Sequence, residues 1–255
     1  MPLLEVKEVS KKFGGVTALS AMSLSVNERE IVGLIGPNGA GKTSFFNAVT
    51  GLLRVDSGEI SLGGGRSLSG LSSNRILEAG VARTFQNLRL FKNMSAIENI
   101  AIGFHTRMHT TLIDAVFDTP RSRREEERAF VRAVELLNFI GLKHMGDELA
   151  GNLSYGGQKR LEIARALASE PRILLLDEPV AGMNPSEKDE IAELVRRIRA
   201  RGVAVLVIEH DMRFVMPLSD RVVVMDEGTK IAEGRPDEVR CDKRVIEAYL
   251  GQSHA

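Results

Sequence analysis

The stretch GPNGAGKT at Gly36–Thr43 constrains this chain more than any other part of its sequence. It fits the pattern G-x-x-x-x-G-K-[ST] without a mismatch. It follows the short apolar run Ile31–Ile35 and leads into TSFFNAVTGLL, a segment of helical length. Glycines in such a loop let backbone N–H groups curl around phosphate oxygens, and the N-terminus of the next helix adds about half a positive charge. The sequence therefore predicts a nucleotide site on a strand–loop–helix unit.

The predicted contacts to the nucleotide extend over the whole loop. Lys42 is expected to reach the β- and γ-phosphates, and the Thr43 hydroxyl is expected to bind Mg²⁺. A nucleotide with Mg²⁺ is thus the predicted ligand of this loop. The expected phosphate-binding residues are Gly36, Pro37, Asn38, Gly39, Ala40, Gly41, Lys42, Thr43 and Ser44.

A second motif, PRILLLDEP at Pro171–Pro179, supplies carboxylates. Its continuous apolar run is typical of a strand buried on both faces, as in parallel sheets. Ligands of open α/β sheets bind at the carboxyl ends of the strands, so this strand should end beside the phosphate loop. Asp177 is predicted to hold Mg²⁺, and Glu178, one residue on, to polarise the attacking water.

The pattern elsewhere in the chain indicates a mainly parallel α/β sheet interrupted by a helical insertion. The sequence is mostly helical from about Leu88 to Leu167, where Ser154 opens a helix with Leu161, Ala164 and Leu167 on one face. Asn184, Pro185 and Glu187 resemble a capping box with proline at the first helical position. Further strands are predicted at Leu3–Val9, Met22–Val26, Gly58–Leu62, Val203–Ile208 and Val222–Asp226.

Composition narrows the classes of partner and compartment. Lys and Arg together number 34, as do Asp and Glu, so the formal net charge is zero and offers no basic surface for nucleic acid. No apolar run approaches the ~18 residues that a membrane span requires. Cys241 is the single cysteine, which fits a reducing compartment. We expect a cytoplasmic chain that has no nucleic-acid partner.

The order of the motifs resembles that of the ATP-binding subunits of ABC transporters over nearly the whole chain. The resemblance rests on the phosphate loop, VARTFQN with Gln86, LSYGG at Leu153–Gly157, ILLLDEP, and VIEHD with His210. It implies a P-loop NTPase (RecA-like) core with an N-terminal antiparallel β subdomain and an inserted α-helical signature subdomain. Within one nucleotide-binding domain, 1–255, it assigns 1–87 and 168–236 to the core, 88–167 to the helical subdomain, and 237–255 to a C-terminal helical tail.

The resemblance also implies roles for individual residues. Gln86 would touch Mg²⁺ or water, His210 would contact the γ-phosphate, and Phe13 would stack on adenine. The implied catalytic set is Glu178, His210, Lys42 and Gln86, and the implied magnesium ligands are Thr43, Gln86 and Asp177. A partner subunit's ATP would meet the signature residues Ser154, Tyr155, Gly156 and Gly157. The signature departs from the usual L-S-G-G-Q, with Tyr155 at the first glycine position and Gly157 at the glutamine position.

Within the family, several pieces of the chain resemble the larger ATP-binding subunit of branched-chain amino-acid importers. The similarity lies in RTFQNLRLF, the extra segment Phe104–Arg128, LSYGG, IEHDM and the C-terminal VIEAYLGQ. It implies two integral-membrane permease subunits, a second ATP-binding subunit in a hetero- or homodimer, and, indirectly, a periplasmic or extracellular substrate-binding protein. The chain would then sit peripherally on the inner face of the cell membrane. Two alternatives stay open: a lipopolysaccharide or lipid exporter ATPase, and a soluble ABC ATPase not coupled to transport.

Overall fold

The computed structural model describes residues 1–107 and 120–250, which form two units. The first unit contains Met1–Gln86 and Arg172–Ala255, and the second contains Asn87–Pro171. The helical subdomain expected at 88–167 overlaps the second unit. Part of the segment Phe104–Arg128, and the end of the VIEAYLGQ motif, lie outside the described residues.

The strands all belong to the first unit and form two sheets. A four-stranded antiparallel sheet has the order β2-β1-β4-β5, and a six-stranded sheet has the order β10-β9-β3-β8-β7-β6. In the larger sheet every neighbouring pair is parallel except β10 with β9. In chain order, the strands of the described residues are β1 (Leu4–Phe13), β2 (Val16–Val26), β3 (Ile31–Ile35), β4 (Ser57–Leu62), β5 (Arg66–Ser67), β6 (Val81–Arg83), β7 (Ile173–Asp177), β8 (Ala204–Ile208), β9 (Arg221–Asp226) and β10 (Thr229–Gly234).

The central strands of the larger sheet confirm the prediction of parallel, two-sided burial. Every residue of β3, β7 and β8 is buried. Leucine, isoleucine and valine fill nearly all of these positions, because both faces of such a strand are covered. The carboxyl ends of β3, β7 and β8 therefore lie side by side at one edge of the sheet.

The two N-terminal strands are longer than the sequence pattern predicts. The pairing of β1 with β2 contains register shifts, and Glu8 and Ala21 have φ angles of 48° and 47°. Such bulges break the alternation of apolar and polar side chains on which the prediction relied. The hydroxyls of Ser23 and Ser10 accept hydrogen bonds from the N–H groups of Glu8 and Ala21, at 2.9 Å each, and so pair the bulged backbone.

Helices occur in both units, and the predicted helix starts are confirmed at two positions. Ser154 is the N-cap of one helix, and Asn184 forms the capping box with Glu187 at the start of another. The helices are α1 (Lys42–Val49), α2 (Ser73–Ala79), α3 (Ala96–Gly103), α4 (Pro120–Phe139), α5 (Tyr155–Ala168), α6 (Pro185–Ala200), α7 (Met212–Leu218), α8 (Pro236–Arg240) and α9 (Lys243–Leu250), with 3₁₀ turns at Phe104–Arg107 and Ala150–Asn152.

The core of the first unit contains residues from both sheets and from α1. Phe45 and Phe46 of α1 are fully buried and belong to one cluster with Leu4 of β1 and Leu34 of β3. Burying a phenylalanine side chain stabilises a fold by roughly 1.5–3 kcal/mol. The helix that follows the phosphate loop is therefore held firmly by its apolar face.

In the second unit, α3, α4 and α5 pack on one another. Of the three residues predicted to share one face of α5, Leu161 and Ala164 are buried and Leu167 is partly buried. Lys159 and Glu162 are buried beside them, with Nζ and Oε2 3.7 Å apart. Within residues 1–107 and 120–250, none of the helices combines the length and the apolar character needed to span a membrane.

Candidate functional site

The phosphate loop joins β3 to α1 in a conformation that requires glycine at two positions. Gly41 has a φ of 96°, and a Cβ there would lie 2.5 Å from the carbonyl oxygen of Ala18. A Cβ at Gly36 would lie 2.1 Å from the carbonyl oxygen of Met225. Gly41 is the N-cap of α1 and supplies no side-chain cap, so the N–H groups of the first turn have no capping side chain at this position. This arrangement is a ready anion site.

Lys42 lies within the loop rather than in solvent. Its Nζ donates to the carbonyl oxygens of Gly36 at 2.6 Å and Pro37 at 2.8 Å. Burial lowers the pKa of the ammonium group, and the nearby carboxylates of Glu178 and Asp177 oppose that effect. The lysine charge is thus desolvated beside the loop, where an anion would gain most from it.

The two predicted carboxylates stand at the end of β7 in different surroundings. Asp177 is buried and forms an ion pair with Arg83, whose Nη2 lies 2.7 Å from Oδ2. Glu178 follows with a φ of 47°, and its N–H donates to the carbonyl oxygen of Ile208 at 2.9 Å. Nε2 of Gln86 donates to Oε2 of Glu178 at 2.8 Å. The structure therefore brings Glu178 and Gln86 into direct contact.

Two of the residues predicted to hold Mg²⁺, Thr43 and Asp177, carry oxygen ligands that suit that ion. Thr43 is exposed at the start of α1, which follows β3, and Asp177 ends β7 at the same edge of the sheet, with β8 between the two strands. The third predicted ligand, Gln86, contacts Glu178 through its Nε2. Across the described residues there is no group of three or more His, Cys, Asp or Glu side chains that could hold a metal. Magnesium commonly uses one or two protein oxygens and completes its shell with phosphates and water, so a hydroxyl and a carboxylate suffice.

His210 occupies the turn after β8, and its side chain is exposed. Within the described residues, no hydrogen bond or ion pair joins it to Lys42, Asp177 or Glu178. Its Nδ1 lies 3.6 Å from Oε2 of Glu209. The structure places His210 at the same edge of the sheet as Glu178. Its contact with the nucleotide stays a prediction.

Glu209 is a site residue that the motifs did not single out. Its carboxylate is buried and accepts backbone N–H bonds from Val180 at 3.0 Å, His210 at 3.0 Å and Asp211 at 3.4 Å. Burial raises the pKa of this carboxyl group, and the hydrogen bonds act in the opposite direction. One side chain thus joins the loop after Glu178 to the turn that carries His210.

Replacing Glu209 with alanine is expected to lower the free energy of unfolding by at least about 2 kcal/mol. A buried N–H group that loses its acceptor costs roughly 1–3 kcal/mol, and several are affected here. Urea denaturation followed by circular dichroism measures the change. The matched control is Glu193→Ala on α6, whose exposed carboxylate pairs with Arg196, and it should change stability by less than about 1 kcal/mol. Equal midpoints for the two variants would contradict the assigned role of Glu209.

The remaining predicted residues lie at separate places. Phe13 ends β1 with its ring about half exposed, so it is not a core residue, and Lys11 Nζ lies 5.6 Å from the ring centroid.

In the second unit, the Ser154 hydroxyl caps α5 by accepting from the N–H of Gly157 at 3.1 Å. Tyr155 is exposed, whereas Gly156 and Gly157 are buried. The signature segment is thus a helix N-terminus with an aromatic side chain at its first position.

The C-terminal helix α9 also reaches the phosphate loop. The hydroxyl of Tyr249 is buried without a hydrogen bond of ordinary geometry. Burial raises the pKa of the phenol to about 12, and the neighbouring backbone of Gly36 acts in the opposite direction. Tyr249, near the end of the described chain, therefore packs against Gly36, the first residue of the phosphate loop.

Comparison with known proteins gives consistent matches over nearly the whole chain. The family model described as "ABC transporter" matches residues 19–181, and one described as "Branched-chain amino acid ATP-binding cassette transporter" matches residues 229–255. The chain is 44% identical over 253 residues to the high-affinity branched-chain amino acid transport ATP-binding protein BraF of Pseudomonas aeruginosa, covering 99% of each chain. It is 46% identical to the protein LivG of Salmonella typhimurium, which has the same description, again covering 99% of each chain.

Among solved structures, the chain is similar to the ADP conformation of MJ1267, an ATP-binding cassette of an ABC transporter. The TM-score is 0.86 at 34% identity, with 98% of this chain and 99% of that chain covered. The likeness therefore extends over both units of the described fold.

Proposed function

Because the chain belongs to the ABC transporter ATP-binding family, we propose that it is the ATP-binding and ATP-hydrolysing subunit of an importer for branched-chain amino acids. The observation that carries the ATPase activity is the contact of Gln86 with Glu178, beside Asp177 and the buried Lys42. A carboxylate held by an amide next to an anion-binding loop is suited to activate water against a phosphate.

In the proposed mechanism, the N–H groups at the start of α1 and the Lys42 ammonium bind the phosphates of ATP. Thr43 and Asp177 would hold Mg²⁺, which would supply positive charge to neutralise the phosphates of the nucleotide. Glu178 accepts a proton from the attacking water, while Gln86 fixes the position of that carboxylate. His210 contacts the γ-phosphate from the end of β8, and Phe13 stacks on adenine with its exposed ring.

Import of branched-chain amino acids is supported by two independent comparisons, one over the C-terminal segment and one over the full length. The match at residues 229–255 covers β10 and the two C-terminal helices, outside the segment shared with ABC transporters in general. BraF and LivG, which bear the branched-chain amino acid description, align over the full length. These features favour the importer over a lipopolysaccharide or lipid exporter and over an ATPase that does not serve transport.

The proposed partners are two integral-membrane permeases and a second ATP-binding subunit, which places the chain on the inner face of the membrane. Support for a docking surface comes from Phe91, which is 51% exposed. Asn99 fixes the loop around it, since its side chain accepts from the Phe91 N–H and donates to the Phe91 carbonyl oxygen, both at 3.0 Å. The guanidinium of Arg165 lies 5.8 Å from the ring centroid. A rigidly held, exposed aromatic ring is typical of an interface anchor.

Replacing Phe91 with alanine is expected to reduce co-purification with the permease subunits by about tenfold or more, as loss of an anchor worth about 2 kcal/mol implies. ATP binding by the isolated chain should not change. Pull-down from detergent extracts of cells that co-express the permease subunits measures the effect. The matched control is Phe130→Ala on α4, since Phe130 is 53% exposed and also in the second unit.

The same purification tests the proposal that the chain belongs to an importer. We expect two hydrophobic permease subunits and a second ATPase in the complex, and ATP-dependent uptake of leucine when the complex is reconstituted with its binding protein. Recovery with an outer-membrane assembly apparatus would overturn the proposal in favour of the exporter.

A further inference from the structure

Arg83 ends β6 at the centre of a set of short polar contacts. Its side chain is 5% exposed and that of its ion-pair partner Asp177 is 7% exposed, with 2.7 Å between Nη2 and Oδ2. Its other terminal nitrogen, Nη1, donates to Oδ1 of Asn47 at 2.7 Å and lies 3.4 Å from Oγ1 of Thr50. Asn47 is in α1 and Thr50 directly follows it. One guanidinium therefore joins the helix of the phosphate loop to the carboxylate that ends β7.

Two aromatic rings fix the position of this guanidinium. The carbon Cζ lies 5.3 Å from the ring centroid of Phe46 and 5.1 Å from that of Phe85. Phe46 belongs to α1, and Phe85 immediately precedes Gln86. The remaining nitrogen, Nε, is buried without a hydrogen-bond partner. Arginine tolerates this buried position because the charge of its guanidinium is delocalised and weakly hydrated. The ammonium group of lysine is a compact, strongly hydrated charge and would be less well tolerated.

The ion pair with Arg83 leaves the two carboxylate oxygens of Asp177 in different surroundings. Oδ2 is occupied by Arg83, and the backbone N–H of Asp177 donates to Oγ1 of Thr84 at 3.4 Å. In the described part of the chain, Oδ1 has no hydrogen-bond partner, and it is not among the buried unpaired atoms. Arg83 thus determines which carboxylate oxygen remains accessible for a metal.

We propose that Arg83 is a positioning residue for the magnesium site: it orients Asp177 and ties it to α1, so that the carboxylate and the phosphate loop keep a fixed separation. The inference rests on the proposed function, since it concerns the metal that accompanies ATP. Residues that orient a metal ligand typically change metal affinity 10–100-fold when they are replaced.

The experiment uses the full chain with a non-hydrolysable ATP analogue and Mn²⁺ as the metal probe. Electron paramagnetic resonance measures Mn²⁺ binding, and a fluorescent nucleotide measures affinity in EDTA. In Arg83→Gln and Arg83→Lys we expect the Mn²⁺ dissociation constant to rise at least about tenfold, with nucleotide affinity in EDTA changed less than about threefold. Lysine fails to restore the site because it cannot contact Asp177 and Asn47 together.

A second variant, Asn47→Ala, keeps the ion pair and removes the amide acceptor on α1. It should also weaken Mn²⁺ binding, by a smaller factor than the Arg83 variants. This variant can therefore test the inference even if the Arg83 variants do not fold. The matched control is Arg75→Gln on α2, an exposed arginine paired with Glu78, which should leave Mn²⁺ binding unchanged.

Two results would overturn the inference. Wild-type Mn²⁺ affinity in Arg83→Lys or in Asn47→Ala would show that the contacts serve stability alone. Failure of the wild-type chain to bind nucleotide in EDTA and in Mn²⁺ would overturn the proposed function together with the inference, and so differs from a failure confined to the variants.

Discussion

Replacing Glu178 with glutamine is expected to abolish steady-state ATP hydrolysis while leaving ATP binding intact. Glutamine keeps the shape of the side chain and can still meet the Gln86 amide, but it cannot accept a proton from water. General-base catalysis typically contributes about 10²–10⁴-fold, so the hydrolysis rate should fall by that factor. Phosphate release measures the rate, and equilibrium binding of a fluorescent ATP measures affinity.

The same variant should accumulate a closed dimer at saturating Mg·ATP, because hydrolysis is the step that reopens it in the mechanism inferred from the family. Size-exclusion chromatography with light scattering reports the mass. The control is Asp189→Asn on α6, an exposed carboxylate of the same unit. A monomeric profile for Glu178→Gln, or hydrolysis at the wild-type rate, would count against the roles given to this residue.

Replacing Lys42 with alanine is expected to reduce ATP affinity at least about 100-fold. The ammonium group now bonds to the carbonyl oxygens of Gly36 and Pro37 and is proposed to bind phosphate instead when nucleotide is present, and hydrogen bonds to charged groups contribute roughly 1.5–3 kcal/mol each. Isothermal titration calorimetry measures the loss.

Circular dichroism checks that the variant remains folded, so that the loss of affinity reports the missing ammonium group. Lys7→Ala, which removes an exposed lysine of β1, controls for loss of a positive charge. Unchanged nucleotide affinity in Lys42→Ala would remove the assignment of the phosphate loop.

The parts of the fold that the sequence predicted correctly are those whose physical cause is local. The strand Ile31–Ile35 has the predicted bounds, because a short apolar run between polar ends leaves little choice of register. Asn184 and Glu187 form the expected capping box, since its hydrogen bonds join residues only three positions apart. The family resemblance drawn from the motifs is confirmed by the family model and by the full-length relatives.

The unpredicted parts depend on residues far apart in the chain. Glu209 accepts a hydrogen bond from the N–H of Val180, and Arg83 contacts Asn47 and Asp177. These partners are far apart in the sequence, so neither role is visible in a local pattern. The bulges at Glu8 and Ala21 likewise arise from cross-strand pairing. The nucleotide roles of Gln86, His210 and Phe13 came from the resemblance alone, and they remain predictions.

The packing of Tyr249 against Gly36 has a spectroscopic consequence. The chain contains no tryptophan and two tyrosines, so its ultraviolet emission comes from Tyr155 at the start of α5 and Tyr249 beside the phosphate loop. A Tyr155→Phe chain keeps one tyrosine, and that tyrosine adjoins Gly36, the first residue of the phosphate loop. A nucleotide that binds this loop is therefore expected to change the tyrosine emission, which can be followed in real time without a dye.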